Sequence, residues 1–142
     1  MKSQRRLENM MYFTFAVALI ATLGSLFFSE VKGIAPCTLC WFIRILMYPL
    51  VMIASIAAVR RDFKQSLYMM TFSALGVGLA SYHYLLQKTN IFGNDAGNAC
   101  GQIPCNLEYI NVFGFITIPF LALIAFIMIF MMQFYVWKKH RQ

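Results

Sequence analysis

Two pairs of cysteines carry the chemistry that this chain can do. The first lies in Pro36-Cys37-Thr38-Leu39-Cys40-Trp41-Phe42-Ile43-Arg44, and the second in Cys100-Gly101-Gln102-Ile103-Pro104-Cys105. Two thiols three residues apart close a small disulfide ring, and such pairs commonly hold a thiolate of lowered pKa. A ring that small removes little chain entropy, so it is a poor staple and a good redox pair. A hairpin with a Gly and a Pro between Cys100 and Cys105 brings their Cα atoms into the roughly 4.4–6.8 Å that a disulfide needs. Arg44 follows Cys40 by four residues, so on a helix the two share a face. An arginine in apolar surroundings needs a local reason. One reading has it stabilise the Cys40 thiolate and an anionic oxygen beside it; the other has it snorkel one turn to the lipid headgroups. Thiols, a buried cation and a lipid setting together suit thiol–disulfide electron transfer.

The elements that hold these residues are apolar helices. Of the 142 residues 61% are hydrophobic, a share that a soluble domain of this size has no means to hide. Apolar stretches at 10–28, 39–59, 67–86 and 112–136 are each long enough to cross the roughly 30 Å hydrocarbon layer as a helix. The expected fold is all-α: one four-transmembrane-helix domain over 1–142, with a short loop at 29–38 and a longer redox loop at 87–111. The net charge of +7 is a matter of placement rather than of nucleic acid. Lys2, Arg5, Arg6, Arg60, Arg61, Lys64, Lys138, Lys139 and Arg141 fall at the ends that share the two termini, against Lys32 and Lys88 in the other connections. The positive-inside rule then sets both termini in the cytoplasm and both loops outside. All four cysteines lie in or beside those loops, in the compartment that permits disulfides.

Along the chain, the first apolar run is too long for a signal-peptide core and lacks a small-x-small cleavage site, so it reads as an uncleaved anchor. Thr14, Thr22 and Ser25 are tolerable there because a hydroxyl can bond a carbonyl of the preceding turn. Pro36 favours an extended Ala35 and places Cys37 near the first turn of helix two, where open N–H groups and the helix dipole favour a thiolate. Trp41 suits the interfacial aromatic belt. Tyr48 continues the Cys40–Arg44 face inward, as a packing residue or a ligand contact, and Pro49 predicts a bend. In helix three, Ala74 with Gly78 and Gly76 with Ala80 allow close helix contact. His83, between Tyr82 and Tyr84, lies at about the depth of Arg44, as an interfacial side chain or a ligand-binding one.

Four cysteines admit other uses. Two structural staples would make a non-catalytic membrane scaffold, and C-x2-C…C-x4-C loosely suits zinc, though no histidine lies near and no metal site is expected. The whole pattern resembles the DsbB/BdbC family of disulfide-formation proteins: four short spans, C-x-x-C opening the second, Arg44 four residues on, and a second pair in the second outer loop. The likeness covers nearly the whole chain. It implies a bacterial cytoplasmic-membrane oxidoreductase that reoxidises an extracytoplasmic thioredoxin-like oxidase (DsbA or BdbD type). The electrons then pass to a membrane quinone, menaquinone or ubiquinone. By position it implies redox disulfides Cys37–Cys40 and Cys100–Cys105, with Cys100 forming the mixed disulfide with the partner. Cys40 would contact quinone, Arg44 would hold the quinone oxygen and the thiolate, and His83 would stand near the ring. Long-loop members space the second pair more widely and carry an acidic residue just before the arginine. Here Ile43 takes that place, and the chain is more similar to the compact BdbC branch.

Overall fold

The computed structural model describes residues 1–31, 33, 38–88 and 118–142. Four helices run through them: α1 (Lys2–Glu30), α2 (Thr38–Arg60), α3 (Ser66–Lys88) and α4 (Ile118–Arg141), with a 3-10 turn at Phe63–Gln65 between α2 and α3. Each helix packs on its neighbours in a closed ring, α1 on α2, α2 on α3, α3 on α4 and α4 back on α1, with α3 against α4 the most extensive interface. Three of them, Lys2–Glu30, Thr38–Arg60 and the Phe120–Arg141 part of α4, are long and apolar enough to cross a membrane. α3 is the same 23 residues long as α2, about 34 Å of helix, but less apolar. Three of its polar residues, Ser66, Ser73 and His83, turn inward and are buried in the bundle.

The outside of the bundle is apolar. Ile20, Leu23, Phe27, Ile45, Met52 and Met131 are each about half exposed or more, a surface that suits hydrocarbon and marks a multi-pass membrane protein. The inside is closely packed around Met11, Ala18, Leu50, Ala57, Met69, Phe126 and Ile129. Gly76 is where α3 meets α4: a Cβ there would run into ring carbons of Phe126, which is fully buried. Ala80, one turn on, is also fully buried. Of the two small-residue stripes expected on α3, only this one packs. Ala74 is exposed, and a Cβ on Gly78 would meet nothing within 4 Å.

α1 and α4 extend past their apolar stretches at the end that carries the termini. α1 begins eight residues before position 10, because Leu7 and Met11 bury on the bundle and Lys2, Gln4, Arg5, Arg6 and Glu8 are good helix formers. Hydropathy registers only the part of a helix that lipid must cover. The residues 112–117 expected to open α4 and most of the loop expected at 87–111 lie outside the described residues. α2 stays helical through Pro49. It ends in a Schellman turn: Arg61 takes a positive φ of 54°, and the Asp62 N–H bonds the Ala57 carbonyl at 3.2 Å.

Candidate functional site

The site is built from one face of α2. Cys40, Ile43, Arg44 and Met47 follow the i, i+3, i+4, i+7 spacing of a single helical stripe, and all four line a cavity of about 250 Å³ within the bundle. α1 contributes Ser25, Gly24 and Ala21 to its wall, α3 contributes His83, and α4 contributes Leu121 and Ala122. A Cβ on Gly24 would meet no atom within 4 Å, so this glycine is one reason that the space exists. The walls are mostly apolar, and four polar groups (a hydroxyl, a thiol, an imidazole and a guanidinium) gather on them.

Cys40 is half-buried, and its Sγ lies 4.0 Å from His83 Nδ1 across the α2–α3 interface. That is the outer limit of a sulfur hydrogen bond, and which atom donates depends on the imidazole tautomer. His83 is 1% exposed. Of the two readings of this histidine, interfacial or at a ligand site, the structure puts it inside the bundle, on the cavity and against the thiol.

Arg44 is also inside, only 9% exposed. Its guanidinium is gripped by α1: Nε donates to Ser25 Oγ at 2.8 Å, NH2 to the Ser25 carbonyl at 2.8 Å, and NH1 to Ser29 Oγ at 3.3 Å. Nε and NH2 thus form a fork on a single residue, a geometry that suits arginine and not lysine. Neutral acceptors on α1 thus hold the guanidinium against the bundle. The guanidinium carbon also lies 5.7 Å from the centroid of the Trp41 ring, which is itself half-exposed on the outer surface.

Ser25 and Ser29 were not legible as part of a site. Thr14 and Thr22 do bond back to the Met10 and Ala18 carbonyls, at 2.9 and 2.8 Å, as expected of helix hydroxyls. Ser25 instead accepts from Arg44. The signal available was its i, i+4 spacing with Ser29, which puts two acceptors on one face. Met47 rather than Tyr48 continues the cavity stripe inward; Tyr48 is half-buried and is not among the lining residues. Cys37, Cys100 and Cys105 lie outside the described residues. Among the described residues no group of three or more His, Cys, Asp or Glu side chains is placed to hold a metal ion.

Comparison with known proteins gives a consistent result. The family described as "Disulfide bond formation protein DsbB" matches residues 7–136. A "Probable disulfide formation protein C" of Halalkalibacterium halodurans is 51% identical over 126 residues, 89% of this chain and 91% of that one. A "Probable disulfide formation protein C 1" of Bacillus anthracis is 46% identical over 139 residues, 98% and 99% of the two chains. The "Disulfide bond formation protein C" of Bacillus subtilis is 50% identical over 119 residues, 84% and 86% of the two. No solved structure matches the chain.

Proposed function

The chain belongs to the DsbB family of disulfide bond formation proteins, and on that premise we propose that it is a membrane thiol–disulfide oxidoreductase. It takes electrons from a reduced extracytoplasmic thioredoxin-like oxidase of the DsbA or BdbD type and passes them to membrane quinone. The observation that carries this reading is the meeting of Cys40, His83 and Arg44 on one apolar cavity inside the bundle. Nine basic residues at the end with the termini support a topology with both termini in the cytoplasm of a bacterial cell and the cysteine pairs outside.

The exchange balances as follows. A thiolate of the reduced partner attacks the Cys100–Cys105 disulfide, forming a mixed disulfide at Cys100 and releasing Cys105. The partner's second thiol displaces Cys100, so the partner leaves oxidised and Cys100 and Cys105 leave reduced. These two thiols then reduce the Cys37–Cys40 disulfide in the same manner. Closing Cys37–Cys40 again gives up two electrons and two protons. The cavity suits the ring of a lipid-soluble quinone: it has apolar walls, a thiol at one side and N–H donors within reach. A quinone supplies a two-electron, two-proton acceptor there.

The protein's own residues do the rest. Cys40 is the sulfur that faces the cavity. His83, at 4.0 Å, is placed to take the proton from Cys40. Arg44 spends three N–H groups on Ser25 and Ser29. A guanidinium has five, so two have no partner among the described residues and suit an oxygen in the cavity, and its charge favours both a Cys40 thiolate and a developing anionic oxygen.

The test uses purified full-length protein, a reduced thioredoxin-like partner and a short-chain quinone, with thiol trapping of all four cysteines. Wild type oxidises the partner in a quinone-dependent way, and Cys40→Ser abolishes this. Gly24→Leu, whose Cβ meets no atom within 4 Å and whose branch enters the cavity, raises the quinone concentration needed for half-maximal rate and leaves thermal stability intact. Full activity in Cys40→Ser would remove the mechanism and favour a scaffold whose disulfides are structural.

A further inference from the structure

A second cavity, of about 210 Å³, opens at the end of the bundle that carries both termini, far along the helices from Cys40. Lys2, Ser3, Arg6 and Leu7 of α1 and Tyr135 and Lys139 of α4 line it. Leu7 is its buried floor; the other five are exposed. Three cations from two antiparallel helices therefore converge on one concavity, with two hydroxyls beside them.

Among the described residues no acidic side chain pairs with these cations. The first turn of α1 has no acidic residue, so Lys2 and Arg6 add to the positive end of the α1 dipole, where helices ordinarily place Asp or Glu. On α4 the basic last turn is the favourable arrangement, and Lys139 brings it against α1. Of the nine basic and two acidic residues at this end, both acids are engaged elsewhere. Glu8 pairs with Arg61 at 3.5 Å, and Asp62 Oδ1 accepts from the Lys64 N–H at 3.1 Å. Topology needs only that positive charge stay on one side of the membrane. It does not need three of the nine cations around a single cavity.

The position favours a lipid over a free anion. Tyr12 and Phe13 on α1 and Met131 and Phe134 on α4 are exposed apolar side chains a turn or two further along the same helices. The Arg141 guanidinium lies 5.4 Å from the Trp137 ring centroid, an interfacial pairing. Acyl chains would lie on that apolar surface while a headgroup reaches the cations. Basic pockets between transmembrane helices are where anionic headgroups bind. We propose that this cavity binds the phosphate of an anionic membrane lipid through Lys2, Arg6 and Lys139, and that the bound lipid ties α1 to α4. The proposal is independent of the redox reading.

The test is thermal unfolding of the full chain in a neutral detergent, titrated with phosphatidylglycerol, phosphatidylcholine or inorganic phosphate. Two charge-matched variants are compared: Lys2→Gln/Arg6→Gln/Lys139→Gln at the cavity, and Arg5→Gln/Lys64→Gln/Lys138→Gln away from it. Phosphatidylglycerol is expected to raise the wild-type melting temperature and phosphatidylcholine is not. Each cavity cation is worth roughly fivefold in half-saturating lipid, about 1 kcal/mol, so the cavity triple loses roughly 100-fold and the other triple far less. Removing like charges leaves the cavity triple no less stable than wild type in phosphatidylcholine; should it nevertheless fail to fold, Lys139→Gln alone is expected to lose about fivefold. Equal effects of the two lipids, equal losses in the two triples, or a full shift from inorganic phosphate alone would each overturn the proposal.

Discussion

Ser25→Ala removes one hydroxyl from α1 and tests whether the placement of Arg44 prepares the cavity. The wild-type Nε bond to Ser25 Oγ is 2.8 Å and charge-assisted, a type that contributes about 1.5–3 kcal/mol. The NH2 bond to the Ser25 carbonyl, also 2.8 Å, survives the change, since it uses the backbone. The cavity beside the guanidinium also lets water replace part of what is lost. Both considerations point to the low end, about 1.5 kcal/mol, or roughly tenfold. Ser29 accepts at 3.3 Å, near the geometric limit, so Ser29→Ala removes about 0.5 kcal/mol, roughly twofold. The assay is stopped-flow reduction of quinone by reduced full-length protein, with partner oxidation measured separately. Ser25→Ala should lower kcat/KM for quinone about tenfold and Ser29→Ala about twofold, while exchange with the partner stays within twofold. If Ser29→Ala is the more damaging, or if Ser25→Ala leaves the quinone step unchanged, the guanidinium's grip on α1 does not prepare the site. Equal losses in both half-reactions would mean damage to the fold instead.

Other substitutions separate packing from function. Gly76→Ala forces the buried Phe126 ring to move and should cost about 1–3 kcal/mol, read as a lower melting temperature in detergent, whereas Gly78→Ala faces open space and should leave it unchanged or higher. In the inner half of the bundle, buried Gln133 donates from Nε2 to Thr14 Oγ1 at 2.8 Å, while its Oε1 has no partner among the described residues. Thr14→Val strands that amide and should lower stability by about 1–3 kcal/mol, but Gln133→Leu leaves Thr14 bonded to Met10 and should be neutral or stabilising by the same measurement. Ser25→Asp offers Arg44 an acceptor that carries negative charge; the melting temperature should hold, and quinone-dependent turnover should fall further than in Ser25→Ala.

The all-helical membrane architecture was legible because lipid imposes a simple rule on sequence: a long apolar run must cross. The ends of α1 and α4 were not, because Leu7 packs on protein beyond the reach of that rule. Cys40 and Arg44 could be put on one face by their spacing alone. The rotation that turns this face towards α1 is a property of two helices together, so Ser25 and Ser29 stayed invisible as its acceptors. The approach of His83 to Cys40 joins residues 43 apart in sequence. Matched depth in two helices suggested it, while their azimuth was open. The two small-residue stripes of α3 illustrate the same limit. Both fit close packing, and only the ring of Phe126 distinguishes Gly76 from Gly78.

The nature of the Arg44 clamp matters as much as its geometry. A buried guanidinium must have its N–H groups satisfied, and the usual partner is a carboxylate, which satisfies them and cancels the charge. Here the three acceptors, Ser25 Oγ, the Ser25 carbonyl and Ser29 Oγ, are all neutral, and Ile43 precedes the arginine where a carboxylate would have been adjacent. The hydrogen bonds therefore hold the cation in place without removing its field from the cavity. An ion pair at the same position would be as stable and far weaker in effect. A cation held by serines, on the wall of an apolar cavity and one turn from a thiol, is an arrangement whose stability is explained by α1 and whose charge is left for the site.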